Sequence, residues 1–256
     1  MRPCLALAGL AILAVPLVQV LGLQPAGASP PPCPDIHTTD FIVSYWDVNN
    51  AAGVQAPVQL RKTGTTCAGS GSEAGADASF IGLENRAGTA LVQIGFYHQY
   101  DYTVDHGIYC RFWQTYPVGD PHPYKCGDDT GSTYVYFRIK EYYAPPPDAA
   151  YYYEIQDCGA DGYATCTTKD ASQLAFTNTF GAIVGAEEHY GTGCFDQIMG
   201  SSSSPVNIGT SVNEIKFQGS VGGPFAVKSL DPSSAQCNHY EAAFSDSIVS
   251  TWDDRN

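Results

Sequence analysis

Ser132-Thr133-Tyr134-Val135-Tyr136-Phe137-Arg138-Ile139-Lys140-Glu141-Tyr142-Tyr143 is the stretch on which the fold class turns. Val135, Phe137 and Ile139 alternate with Tyr134, Tyr136, Arg138 and Lys140. A strand sends successive side chains to opposite faces, so the first set faces a core and the second faces away from it. A helix would need its apolar positions three and four residues apart, which this run does not offer. Its aromatic and β-branched residues also suit a pleated surface.

The same signal recurs on both sides. Strands are expected at Phe41–Trp46, Val58–Leu60, Ser79–Leu83, Thr89–Tyr100, Gly107–Val118, Ala149–Gln156, Gln173–Phe180, Ala182–Glu188, Val212–Phe217 and Phe225–Val227. Turn residues bound them, as in Gly127-Asp128-Asp129-Thr130-Gly131 and Pro145-Pro146-Pro147-Asp148. Thr63–Gly75, Gly200–Pro205 and Gly219–Pro224 read as loops rich in Gly and Ser. Many short strands without a helical period predict an all-β fold, a sandwich of two antiparallel sheets. The length suits a jelly roll better than an immunoglobulin-like domain of ~100 residues.

Residues 1–28 carry Arg2, an apolar run from Leu5 to Leu23 and a small-x-small site at Ala26-Gly27-Ala28. That is the pattern of a secretory signal peptide. Pro16 and the short apolar run argue against a permanent membrane span. One β-sandwich domain is expected over residues 29–256, long enough to bury a core of its own. Downstream of the signal stand Cys33, Cys67, Cys110, Cys126, Cys158, Cys166, Cys194 and Cys237, an even set that predicts disulfides in a secreted, extracellular protein. Short loops make Cys110–Cys126 and Cys158–Cys166 natural pairs, and order alone leaves Cys33–Cys67 and Cys194–Cys237. The formal charge of −14 becomes −15 without the signal, which holds one Arg and no acidic residue. An acidic surface repels phosphate backbones, so no nucleic-acid partner is expected.

The second face of the 132–143 run, continued by Tyr151-Tyr152-Tyr153, is rich in tyrosine. Tyrosine rings offer an apolar body with a polar tip, suited to stacking on sugar rings. Tyr134, Tyr136 and Tyr152, with Tyr97 and Trp113, are therefore the candidate binding residues, and an extracellular polysaccharide or protein surface is the expected partner. No cofactor or metal is expected: the acids at Asp128-Asp129 and around Asp157-Cys158-Gly159-Ala160-Asp161 lack the spacing of a calcium loop. His98, His106 and His122 lack the paired spacing of a zinc site.

One group of motifs points to chemistry. Phe80-Ile81-Gly82-Leu83-Glu84 precedes Leu91-Val92-Gln93-Ile94-Gly95, then Trp113-Gln114-Thr115-Tyr116-Pro117, then Gly181-Ala182-Ile183-Val184-Gly185-Ala186-Glu187-Glu188. Over about residues 79–190 this order resembles the glutamic peptidases of eqolisin type, secreted acid endopeptidases with a concanavalin A-like jelly roll. The resemblance implies Gln93 as the catalytic glutamine, orienting a water and binding an oxyanion beside a general-base carboxylate. It also places the family's glutamate at Gly185 and its aromatic at Ala182. A local bulge would bring in Glu187 instead, with Glu188 on the opposite face. Gly95 beside Gln93 suggests room for a ligand backbone. The function expected from the whole sequence is non-catalytic binding of carbohydrate or another extracellular surface. The alternative is an acid endopeptidase using Gln93 with Glu187 or Glu188.

Overall fold

Seventeen strands and no helix make up the described residues of the computed structural model, which are 39–46, 51–60, 76–85, 90–101, 106–116, 121–127, 133–173, 180–189, 200–232, 240–245 and 247–253. In chain order they are β1 (Thr39–Trp46), β2 (Gly53–Leu60), β3 (Ala76–Asn85), β4 (Leu91–Asp101), β5 (His106–Tyr116), β6 (His122–Tyr124), β7 (Thr133–Ala144), β8 (Ala150–Asp157) and β9 (Thr167–Gln173). There follow β10 (Phe180–His189), β11 (Gly200–Ser201), β12 (Ser204–Ile208), β13 (Lys216–Gln218), β14 (Phe225–Ala226), β15 (Asp231–Pro232), β16 (Tyr240–Ser245) and β17 (Ile248–Asp253).

Two antiparallel sheets result. The first runs β15-β1-β10-β3-β4-β5-β6, and the second runs β16-β17-β12-β2-β7-β8-β9, with β11 on β12, β13 on β2 and β14 on β13. The core lies between them. Ile81, Leu83, Val92, Ile94, Phe96, Ala182 and Val184 enter it from the first sheet, and Val54, Val58, Leu60, Val135, Phe137, Ile139 and Ile155 from the second. Phe96 meets Phe137 edge-on across the gap at 5.6 Å. The alternation read from residues 132–143 is thus the inner and outer face of β7.

Several elements differ from expectation. The second strand begins at Gly53, well before Val58. Proline interrupts most strands, but the Pro57 carbonyl points toward the β12 side, where it accepts from the Gly209 amide at 2.8 Å. The missing N–H points the same way, into the gap between the Ile208–Val58 and Lys216–Gln55 pairs, so it costs little ladder. Gly200–Pro205 is a hairpin of β11 with β12, not a loop. Within Val212–Phe217 only Lys216 and Phe217 are strand, and within Gln173–Phe180 only the two end residues are described, as the end of β9 and the start of β10. The signal segment, Cys33, Cys67, Cys194 and Cys237 lie outside the described residues. Cys110–Cys126 and Cys158–Cys166 are disulfide-bonded, as their short loops predicted.

A buried ion pair ties the sheets together. Arg111 on β5 donates from Nη1 to both carboxylate oxygens of Asp157 on β8, at 3.1 and 3.0 Å. Both side chains are buried, and the Gly159 amide adds a third bond to Asp157 at 2.9 Å. Such a pair adds little over an apolar replacement, but losing one partner strands a buried charge. Asp157→Asn should therefore cost about 3–5 kcal/mol, measured by denaturant unfolding with the disulfides intact. A loss under about 1 kcal/mol would show that water solvates the guanidinium.

Among the described residues Glu141 is a second buried acid, 3 % exposed on the inner face of β7 opposite Tyr153, with Oε1 unpartnered there. Burial pushes its carboxyl up to about 7 from an ordinary 4.5. The native state thus holds this proton more tightly than the unfolded chain does. The associated stability is complete below pH 4.5, declines as pH rises to about 7 and is gone above it. The span corresponds to about 3 kcal/mol. Glu141→Gln should lose correspondingly less stability than the parent between pH 4.5 and 7.5 in urea titrations; parallel curves would place the titration on another group.

Candidate functional site

Gln93 sits in the middle of β4 on the face turned away from the second sheet. Its register neighbours are Gln114 on β5 and Gly82 on β3, and Gly82 is in turn opposite Ile183 on β10. The amide is 3 % exposed; Nε2 donates to Gln114 Oε1 at 2.6 Å, and Gln93 Oε1 has no partner among the described residues. Beside it, Ala78, Phe80, Phe112 and Ile183 form a second buried apolar cluster, with Leu91 and Tyr97 packed against it.

Glu187 shares that face but not that place. Its row runs through Ala78 and Tyr97, whereas the Gln93 row runs through Gly82 and Ile183. Four residues along the strands and two strands across separate the two, about 16 Å between Cα atoms at ~3.3 Å per residue and ~4.8 Å per strand. One water cannot touch both side chains. No bulge interrupts the β10–β3 register, so the rearrangement needed to bring Glu187 beside Gln93 is absent. Glu188 takes the next register position, opposite Asp40 and Asp77. Gly185, where the peptidase glutamate would fall, lies on the face of Gln93, opposite Phe80.

Gly95 does not leave room for a ligand. A Cβ there would collide with the Ser79 carbonyl oxygen and stand 2.7 Å from Phe80 Cα. The glycine allows β3 and β4 to approach, and the space is filled by backbone. Ile183 likewise fills the space over Gly82, where a Cβ would lie 2.9 Å from its Cγ1.

The five aromatic candidates do not form one surface. Tyr97 packs on the outer face of the first sheet, its ring 6.1 Å from Phe112. Trp113 packs against the inter-sheet core and stacks on His122 at 4.0 Å. Tyr134 and Tyr136 are half-buried on the outer face of the second sheet. Tyr136 meets the Tyr163 ring edge-on at 5.1 Å, and its hydroxyl accepts from Asn213 Nδ2 at 2.8 Å. Arg138, next on that face, lies over both the Tyr163 and Phe225 rings. Burial raises the Tyr163 hydroxyl well above the ordinary tyrosine range. This end of the face is covered by the chain itself.

Among the described residues nothing covers the other end. Tyr152 stacks on Tyr142 at 5.3 Å with the rings 17° apart, and on the opposite side of the same hairpin Tyr143 packs against Tyr151 at 5.0 Å. Tyr142 is 37 % and Tyr143 44 % exposed, and Pro145, Pro146 and Pro147 form an exposed turn between the strands. Tyr142, Tyr143 and Tyr151 were not among the expected binding residues. The sequence carries a signal for them: Tyr142 continues the even register of Tyr134 and Tyr136 directly into a proline turn. No family model matches this chain and no curated protein matches it.

Proposed function

We propose that this is a secreted, non-catalytic β-sandwich protein that binds extracellular polysaccharide through the tyrosine hairpin of β7 and β8. The observation that carries the reading is the stacked Tyr142–Tyr152 pair on the solvent face, with exposed Tyr143 on the other side of the hairpin. Two parallel rings on paired strands are held by each other and by the ladder beneath, so little side-chain entropy is lost when a sugar ring packs on them. Polar tips keep such a patch soluble where Phe or Leu would promote association. The disulfides suit an oxidising exterior.

Tyr142→Ala with Tyr152→Ala should reduce retention on insoluble polysaccharide by roughly tenfold, while near-ultraviolet dichroism away from the tyrosine contribution stays that of a folded protein. Tyr136→Ala, in the covered part of the face, should change retention far less. Equal retention by parent and double variant would rule out the hairpin as the binding surface.

The acid-peptidase alternative needs a carboxylate that can share a water with Gln93, and the separation of Glu187 from it argues against that chemistry. The mature protein should leave an unfolded protein substrate intact from about pH 3 to 7. Acid-dependent cleavage that disappears in Gln93→Ala would reverse this assignment.

A further inference from the structure

A cavity of about 240 Å³ opens where the two disulfide-closed loops meet, lined by Lys125, Lys169, Asp161, Thr165 and Thr167 with Asp157 at its base. We propose that it binds a single carboxylate group. This site is separate from the tyrosine hairpin, which lies at the other end of β8, and does not depend on it.

Charge is the first argument. The chain carries 12 Lys and Arg against 26 Asp and Glu, yet two lysines line this one small cavity. The carboxylate of Asp157 is already committed to Arg111 and to the Gly159 amide. Lys125 Nζ stands 3.9 Å from Asp157 Oδ2, near enough to be attracted but beyond hydrogen-bond distance. Among the described residues, with Asp157 held by Arg111, the cavity lining sets Lys125 and Lys169 against Asp161, an excess of one positive charge. A monoanion neutralises it; a phosphate dianion would leave excess negative charge beside Asp161.

The backbone supplies the second argument. Lys125 has φ 48°, in the left-handed region that a side chain with a Cβ rarely adopts. Glycine would hold this bend without strain, so a lysine here carries a local backbone cost. Lys169 is set differently: its Nζ lies 4.5 Å over the Tyr124 ring, a cation–π contact between β9 at the edge of one sheet and β6 at the edge of the other. That contact orients the ammonium without consuming its donors. The Thr165 and Thr167 hydroxyls add donors that can rotate to a carboxylate oxygen. The volume is below the ~300–1,000 Å³ of sites for drug-sized ligands, and suits an acid group or one acidic sugar ring.

The test is a titration of the oxidised, mature protein with sodium acetate, sodium glucuronate, glucose and inorganic phosphate at low ionic strength, followed by amide NMR. Acetate or glucuronate should give saturable shifts confined to the residues around Lys125, Lys169 and Thr165, and glucose should give none there. Equal affinity for the two acids identifies a small free carboxylate as the ligand; tighter glucuronate binding identifies a uronate-bearing glycan. Lys169→Gln should weaken binding about tenfold. Lys125→Gly should do the same while relieving the backbone, so that loss of binding is separated from loss of fold. Lys228→Gln, the same charge change away from the cavity, should leave affinity unchanged. Absence of saturation, phosphate binding more tightly than either acid, or an equal effect from Lys228→Gln would overturn the proposal.

Discussion

The buried contact between Arg111 and Asp157 is the constraint around which the sandwich is arranged. Arg111 directly follows Cys110 and Asp157 directly precedes Cys158, so the ion pair and both described disulfides occupy one end of the molecule. A guanidinium placed between two sheets must meet a carboxylate from the facing sheet, or it is left uncompensated in a low dielectric. That requirement sets the alignment of β5 over β8 far more strictly than apolar packing does, because a Phe or Val tolerates a shift that an ion pair does not. The disulfide loops then hold the strand ends from which the two charges project. The lysine-lined cavity is a by-product of the same arrangement, since the loops that converge on the ion pair leave a hollow between them.

How much of this can be read from sequence depends on which side of a strand a residue occupies. The inner face of β7 is legible because Val135, Phe137 and Ile139 are apolar in strict alternation. Strand β2 is half hidden by Pro57, whose cost vanishes only because two different strands, β12 and β13, share its far edge. Strand β12 is hidden by composition, since Ser203, Ser204 and Pro205 resemble a linker until Val206 and Ile208 are seen to be wholly buried. The hairpin of β16 and β17 is not among the expected strands, although Ile248, Ser250 and Trp252 alternate with buried Val249 and Thr251.

The site was less legible than the fold, for a physical reason. Alternation says that Tyr134, Tyr136 and Tyr142 share a face, but not that Tyr163 and Asn213 cover one end of it and nothing among the described residues covers the other. Coverage is a long-range property. The motif order around Gln93 shows the complementary limit. The resemblance implies a carboxylate on a strand neighbouring Gln93, whereas in the described register β3 lies between β4 and β10, position 185 is a glycine and Glu187 stands in a different row. Asp157, which reads as a turn acid beside Cys158, proved to be the buried partner of Arg111, and nothing local announces a contact made across two sheets.

The strand order also has a consequence for when this chain can fold. Trp46 pairs with Ala182 and Leu60 with Thr133, so the earliest strands wait for partners made much later. Pairings so distant in sequence close slowly, because the loop entropy is spent before the contacts return anything. During synthesis the first sheet has no complete interior until β10 has emerged, between β1 and β3. The nascent chain therefore stays open and threadable until most of its length exists.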